Sequence, residues 1–230
     1  MTRRPKALIA WSSGKDSAWA LHDVRQSGGY EVVGALTTLT ETFGRVSMHG
    51  VRRELLDAQL AAAGLDPIIV PIPFPCPNDV YEARMGAALA QAIATGVTHM
   101  IFGDLFLEDV RAYREQKLAG TGVAPVFPLW HRPTRELARE MIAAGVEAHI
   151  VCVDLKQVAK TFAGRRLDAA LLAELPASAD PCGEKGEFHS FVAAGPMLSR
   201  RVPLVVGETV ERDGFAFTDL QLASNSDGSA

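Results

Sequence analysis

The 230-residue sequence predicts an α/β protein in which a parallel, doubly wound sheet is followed by a smaller C-terminal α+β lobe. Three observations carry this expectation. In the first half, short apolar runs alternate with amphipathic stretches, the pattern of strands covered on both faces and joined by helices. Near Thr121 this beat breaks, and Pro125, Pro128 and Pro133 follow within a few residues. Beyond Pro176 the chain reads as strands, with Asp213-Gly214 placed between two of them as a hairpin turn.

The elements follow in order. Ala7–Trp11 is a short apolar strand that runs directly into Ser12–Ser17 (SSGKDS). Ala18, Leu21 and Val24 then recur at helical spacing until Gly28-Gly29. Glu31–Leu39 is the second strand. Val51–Ala63 is a helix with Leu55, Leu56, Leu60 and Ala63 on one side, closed by Gly64. Ile68–Ile72 is the third strand, and a helix capped by Asn78 or Asp79 runs to Thr95. Gly96–Gly103 is the fourth. A helix at Thr134–Ala144, a strand at Glu147–Val153 and a helical stretch near Leu167–Leu175 come next. The strands Glu187–Ala193, Val202–Glu211 and Phe215–Leu222 complete the second part. The expected division is 1–122, 123–222 and a disordered polar tail over 223–230.

Composition narrows the function classes. Hydrophobic residues at 48% and charged residues at 22% support a packed core. Lys and Arg number 23 against 27 Asp and Glu, a net charge of −4, which argues against binding nucleic acid by neutralising phosphates. Cys76, Cys152 and Cys182 are widely spaced, without a C-x-x-C pair, so neither zinc nor a disulfide framework is expected. The apolar run after MTRRPK is too short for a signal sequence or a membrane span, so a cytoplasmic protein is expected.

Two loops stand where ligands gather in parallel sheets, at the carboxyl ends of strands. In the first, Gly14-Lys15 followed by Ser17 does not fit G-x-x-x-x-G-K-[ST], because Ile9 stands at the first glycine position and Asp16 intervenes. A small-residue turn at a helix start still offers backbone N–H groups and partial positive charge to phosphate. Ser12, Ser13 and Ser17 add hydroxyls, and Lys15 adds a point charge. Asp16 would repel bare phosphate, and a Mg²⁺ beside it explains its presence. An ordinary capped helix uses the same residue types. The second loop, Gly103-Asp104-Leu-Phe-Leu-Glu108, either faces the first with its carboxylates or simply caps the next helix. A third segment, Asp180–Phe191 (DPCGEKGEFHSF), brackets Glu184 with Gly183 and Gly186 and opens a strand at Glu187. Two glycines allow close backbone approach to a ligand, and equally suit a plain turn.

SSGKDS after the first strand resembles the PP-loop of the N-type ATP pyrophosphatases, which have a Rossmann-like, HUP-type sheet. Their usual motif has glycine where this chain has Ser13. Together, G-D-x-x-x-E and P-C-G-E-x-G-E-F resemble the diphthine–ammonia ligase family, in the right order from about Ala7 to Gly195. The resemblance implies an ATP-dependent ligase: a carboxylate attacks the α-phosphorus of ATP, pyrophosphate leaves, and ammonia displaces AMP to form an amide. It implies ATP and Mg²⁺ at Ser12, Ser13, Gly14, Lys15, Asp16, Ser17 and Gly103, with Asp16 as the metal ligand. Asp104, Glu108, Gly183, Glu184, Gly186 and Glu187 would line the acceptor side, with Glu184 or Glu187 holding ammonium and taking its proton. His189 stands where an acidic residue is common, and Lys185 replaces a smaller one. The acceptor is a protein histidine derivative or, in a bacterium without diphthamide, a small-molecule carboxylate. A nucleotide sensor without turnover is the reading from another class. Neither nucleic acid nor membrane is expected as a partner, and a homo-oligomer is compatible with the sequence.

Overall fold

A computed structural model describes residues 3–223 of the chain. The expectation of a disordered tail falls almost wholly on residues 224–230, outside the described part. The fold is mixed α/β, with a mostly parallel six-stranded sheet and a separate antiparallel sheet of four strands.

The first sheet contains β1 (Lys6–Ala10), β2 (Glu31–Thr40), β3 (Arg45–Val46), β4 (Asp66–Ile72), β5 (Val97–Ile101) and β6 (Ala124–Val126). β1 lies between β2 and β5, β4 flanks β2, and β6 flanks β5, all parallel. The two-residue β3 pairs antiparallel with Leu39 and Thr40 at the end of β2. Its shortness hides it from sequence patterning. β6 likewise lies just past residue 122 yet belongs to the first sheet. Its run is broken by Pro125, which is tolerated because β6 is an edge strand.

Helices α1 (Lys15–Ser27), α2 (Arg53–Ala63), α3 (Asn78–Ala94) and α4 (Glu108–Leu118) connect the strands. Alternation along β1 shows how both faces are covered. Ala7 and Ile9 pack into one core cluster with residues of α1 and α2. Leu8 packs into another with Ala88 and Ala92 of α3 and Leu118 of α4. The cap expected from Asn78 or Asp79 is not made: Pro77 stands at the cap and Asn78 is the first helical residue. None of the described helices is long and apolar enough to cross a membrane.

After α5 (Thr134–Ala143) comes the second sheet, in the order β8 (Phe188–Ala194), β7 (Glu147–Asp154), β10 (Phe215–Leu222), β9 (Leu204–Arg212), every pair antiparallel. A short α6 (Ala169–Glu174) lies between β7 and β8, its cap made by Asp168 accepting from the Leu171 N–H. Asp213 and Gly214 both have positive φ, as the tight hairpin turn requires. Two arginines of this part are paired at the surface: Arg165 with Glu174, and Arg201 with Glu147.

A guanidinium clamp ties β10 to the first sheet. Arg52 donates to both oxygens of Asp219, at 2.9 and 2.8 Å, and Arg45 adds a bond at 2.8 Å. Arg52, with help from Gln221 and Arg45, holds the Asp219 carboxyl well below the usual carboxylate range. A depressed folded pKa means that this stabilisation is complete above the unfolded value of about 3.9 and disappears as pH falls through the folded one. We expect Asp219→Asn to cost about 1 kcal/mol near neutral pH, after allowance for solvent screening of the exposed arginine. Thermal melts should show the gap to the unsubstituted protein narrowing once the pH drops below about 4.

Candidate active site

The junction of β1 and α1 builds one wall of a cleft of about 370 Å³ at the carboxyl end of the first sheet. Gly14 stands at the cap of α1 with no side-chain cap bond. The residue before it, Ser13, has φ 70, the left-handed conformation that glycine adopts freely and serine does not. The Ser12 and Ser17 hydroxyls lie 3.3 Å apart, and Ser17 Oγ donates to the Gly14 carbonyl at 3.0 Å. The loop is therefore wound tightly on itself. Gly103, at the end of β5, explains its own identity. A Cβ there would lie 2.7 Å from the Asp16 carbonyl carbon and 2.9 Å from the Ser17 nitrogen, so only glycine lets the first turn of α1 come this close.

Lys15 is 2% exposed. Its ammonium donates to Asp16 Oδ2 at 2.8 Å and to the Cys182 carbonyl, and its backbone N–H donates to Ser190 Oγ at 3.2 Å. Burial alone would drive the Lys15 pKa down, but the Asp16 and Glu184 carboxylates outweigh it and raise it, so the charge persists. Burial raises the Asp16 pKa, and Lys15 offsets this only in part. Asp16 Oδ1 is buried and without a partner among the described residues.

The opposite wall is the loop 180–187. Its shape is held from within by two carboxylates. Asp180 Oδ1 accepts from the Cys182 and Glu184 N–H groups, and Asp180 Oδ2 accepts from Thr134 Oγ1 at 2.6 Å. Glu187, fully enclosed, accepts from the Asp180 N–H at 2.7 Å and the Lys185 N–H at 2.9 Å. Glu184 instead reaches across the cleft. Its Oε1 accepts from the Leu105 N–H at 2.8 Å. Burial, reinforced by Asp16 and Asp104, lifts its pKa to about 7.

The structure thus gathers most of the expected residues in one cleft: Ser12, Lys15, Asp16, Ser17, Gly103, Asp104, Gly183, Glu184 and Gly186 all line it. Four others do not line it. Ser13 and Gly14 lie behind the loop, Gly14 under the His49 ring. Glu187 faces backbone N–H groups of its own loop. Glu108 opens α4 with its side chain 73% exposed, 3.5 Å from His131 Nε2. Asp104 is in the cleft but paired, both oxygens accepting from Arg114 of α4 at 2.6 and 3.0 Å.

Sequence reasoning missed Arg114, Asp180 and the imidazole pair. Arg114 lies ten residues from its partner, on a helix face that no spacing marks as functional. His49 sits in a turn between β3 and α2. Its ring lies 4.6 Å from that of His189, and its Nδ1 is 3.1 Å from the Ser190 carbonyl oxygen. Burial and the Lys15 charge lower His189 to about 4, and burial with His189 beside it holds His49 well below its ordinary value. Both rings are neutral at physiological pH. Burial pushes the Cys182 thiol far up, which makes it a packing group and not a nucleophile.

Comparison with known proteins bears on this geometry. Residues 133–223 match the family model described as the diphthamide synthase C-terminal domain. Over 99 residues the chain is 30% identical to a diphthine–ammonia ligase of Rattus norvegicus. Both matches support the diphthine–ammonia ligase family. The aligned stretch is 40% of this chain and 37% of the rat protein, so the chain spans well under half of that relative. The family match covers the loop 180–187 and β8, and begins after the phosphate-loop candidate and Asp104.

Two substitutions test the loop geometry. Ser13→Gly should raise stability by about 0.5–1 kcal/mol, the left-handed penalty less the added flexibility of the unfolded chain. Gly103→Ala should lower it by about 1–3 kcal/mol, as overpacking against backbone does. Denaturant titration of both variants measures these effects, and a neutral Gly103→Ala would contradict the close approach.

Proposed function

We propose that this chain is an ATP-dependent ligase that forms an amide from a carboxylate and ammonia, releasing AMP and pyrophosphate, as the resemblance to diphthine–ammonia ligases implies. The observation that carries the reading is the joining of the Ser12–Ser17 turn, at the amino end of α1, to Glu184 in one cleft. A helix start with an adjacent ammonium suits a polyphosphate. A half-buried carboxyl with pKa near 7 suits proton transfer at neutral pH. We take residues up to β6 as the nucleotide-binding part and the following lobe as the acceptor side.

In this mechanism Lys15 gives up its contacts with Asp16 and the Cys182 carbonyl to meet the phosphates, and the N–H groups at the start of α1 face the same charge. The acceptor carboxylate attacks the α-phosphorus, pyrophosphate leaves, and a mixed anhydride with AMP remains. Adenylation converts a carboxylate oxygen into part of a good leaving group. Ammonium held by ionised Glu184 loses its proton to that carboxylate, and ammonia displaces AMP. Glu187, turned toward backbone N–H groups, holds the loop and takes no proton. Mg²⁺ fits Asp16, whose Oδ1 is buried and without a partner among the described residues; when bound it would neutralise phosphate charge. Asp104 is committed to Arg114 and is a poorer ligand.

The wall beside the loop carries two uncharged imidazoles, His49 and His189, the second at the position where the resembled family commonly has an acidic residue, so this wall presents no negative charge to an anionic acceptor.

Incubation with Mg-ATP, ammonium and a panel of carboxylates should yield AMP and pyrophosphate with an acceptor; ADP, or tight binding without product, would instead indicate a different hydrolase or a sensor. With Glu184 as the base, the rate of amide formation should rise with pH through about 7, because the ionised form is the active one. Glu184→Gln should lower that rate by about 100-fold or more and abolish the rise.

A further inference from the structure

Gln59 lies on α2, outside every motif above, and is fully enclosed. It shares the buried side of that helix with Leu55, Leu56 and Leu60, where packing alone would be served by Leu or Met. Three hydrogen bonds occupy its carboxamide. Oε1 accepts from Trp11 Nε1 at 2.9 Å. Nε2 donates to the Ser13 carbonyl at 3.1 Å and to the Val192 carbonyl at 2.6 Å. The Ser13 carbonyl also accepts from the Val192 N–H at 3.0 Å. The chemistry fixes the amide's orientation, since an indole N–H can only donate and two carbonyls can only accept.

One side chain thus joins Trp11 at the end of β1, the left-handed residue of the loop, and β8 of the second sheet. A left-handed serine is unfavourable and persists only where its surroundings hold it. Two donors converging on the Ser13 carbonyl provide that hold. We propose that Gln59 is a positioning residue for the phosphate loop: by anchoring the Ser13 carbonyl it sets the direction of the N–H groups that follow, while touching no ligand itself. The proposal rests on the reading that Ser12–Ser17 holds phosphates.

The test is calorimetric titration of the full chain with magnesium pyrophosphate and, separately, with adenosine. Gln59→Met keeps the shape and removes the donors. It should fold and bind pyrophosphate at least about tenfold more weakly, the equivalent of one lost hydrogen bond, with adenosine affinity within about twofold of the unsubstituted chain. Gln59→Glu places a carboxylate against two carbonyls, and protonation restores one donor. Its pyrophosphate affinity, as a ratio to the unsubstituted chain, should therefore recover as pH is lowered, a response that Gln59→Met cannot show. Unchanged pyrophosphate binding in Gln59→Met, an equal loss for both probes, an unfolded Gln59→Met, or a pH-independent ratio in Gln59→Glu would each overturn the positioning role. If the unsubstituted chain itself fails to bind pyrophosphate, the phosphate-loop reading falls first, and the role of Gln59 falls with it.

Discussion

The Lys15 ammonium is 2% exposed, yet its surroundings keep it charged. Removing an ammonium from water costs several kcal/mol unless partners replace the lost hydration. Here the replacements are the Asp16 carboxylate and the Cys182 carbonyl. Much of the cleft follows from satisfying this one group. Residue 182 must present its carbonyl toward α1, so the loop that carries it must be rigid. The rigidity comes from Asp180 and Glu187 accepting backbone N–H groups on either side of it. The charge is then stored beside the helix start, where an arriving anion can compete for it.

A second consequence concerns the neighbours of that charge. Burial, with the positive charge of Lys15 nearby, keeps two imidazoles neutral, while burial and the carboxylates of Asp16 and Asp104 push Glu184 toward neutrality from the acidic side. Ionisable groups within one small cavity thus divide into a fixed cation, a pair of uncharged rings and one carboxyl poised near physiological pH. Such spreading of pKa values is how a folded chain assigns acid and base roles among similar side chains.

The alternating apolar runs made the mixed α/β architecture legible, because burial on both faces leaves strands without polar interruptions. The junction of strand and helix at Ser12–Ser17 was legible, although only Ser12–Gly14 is loop and Lys15–Ser17 already form the first turn of α1, and the left-handed φ of Ser13 was foreshadowed by the glycine that the motif usually has there. What stayed hidden depends on groups brought together from far along the chain. Glu184 and Glu187 are equivalent as letters, but only the fold shows that one faces the cleft and the other faces its own backbone. Glu108 and Asp104 share a motif, yet α4 begins at Glu108 and turns it outward, while Arg114 claims Asp104. Gln59 did leave a trace, as a polar residue on an otherwise apolar helix side. Its partners Ser13 and Val192 are 46 and 133 residues away, beyond what periodicity can report.

The bonding of β8 has a bearing on how such folds diversify. The strand pairs with β7 along its length, yet the Ser190 hydroxyl and the Val192 amide also complete the turn that follows β1. A single strand therefore serves both the antiparallel sheet and the turn after β1. Recombination that swapped one antiparallel sheet for another would have to import a hydroxyl and an amide at matching heights, or the turn after β1 would slacken. Inheritance of the two sheets is coupled through that seam, so novelty has to arise from side chains on the rim and not from exchange of whole modules.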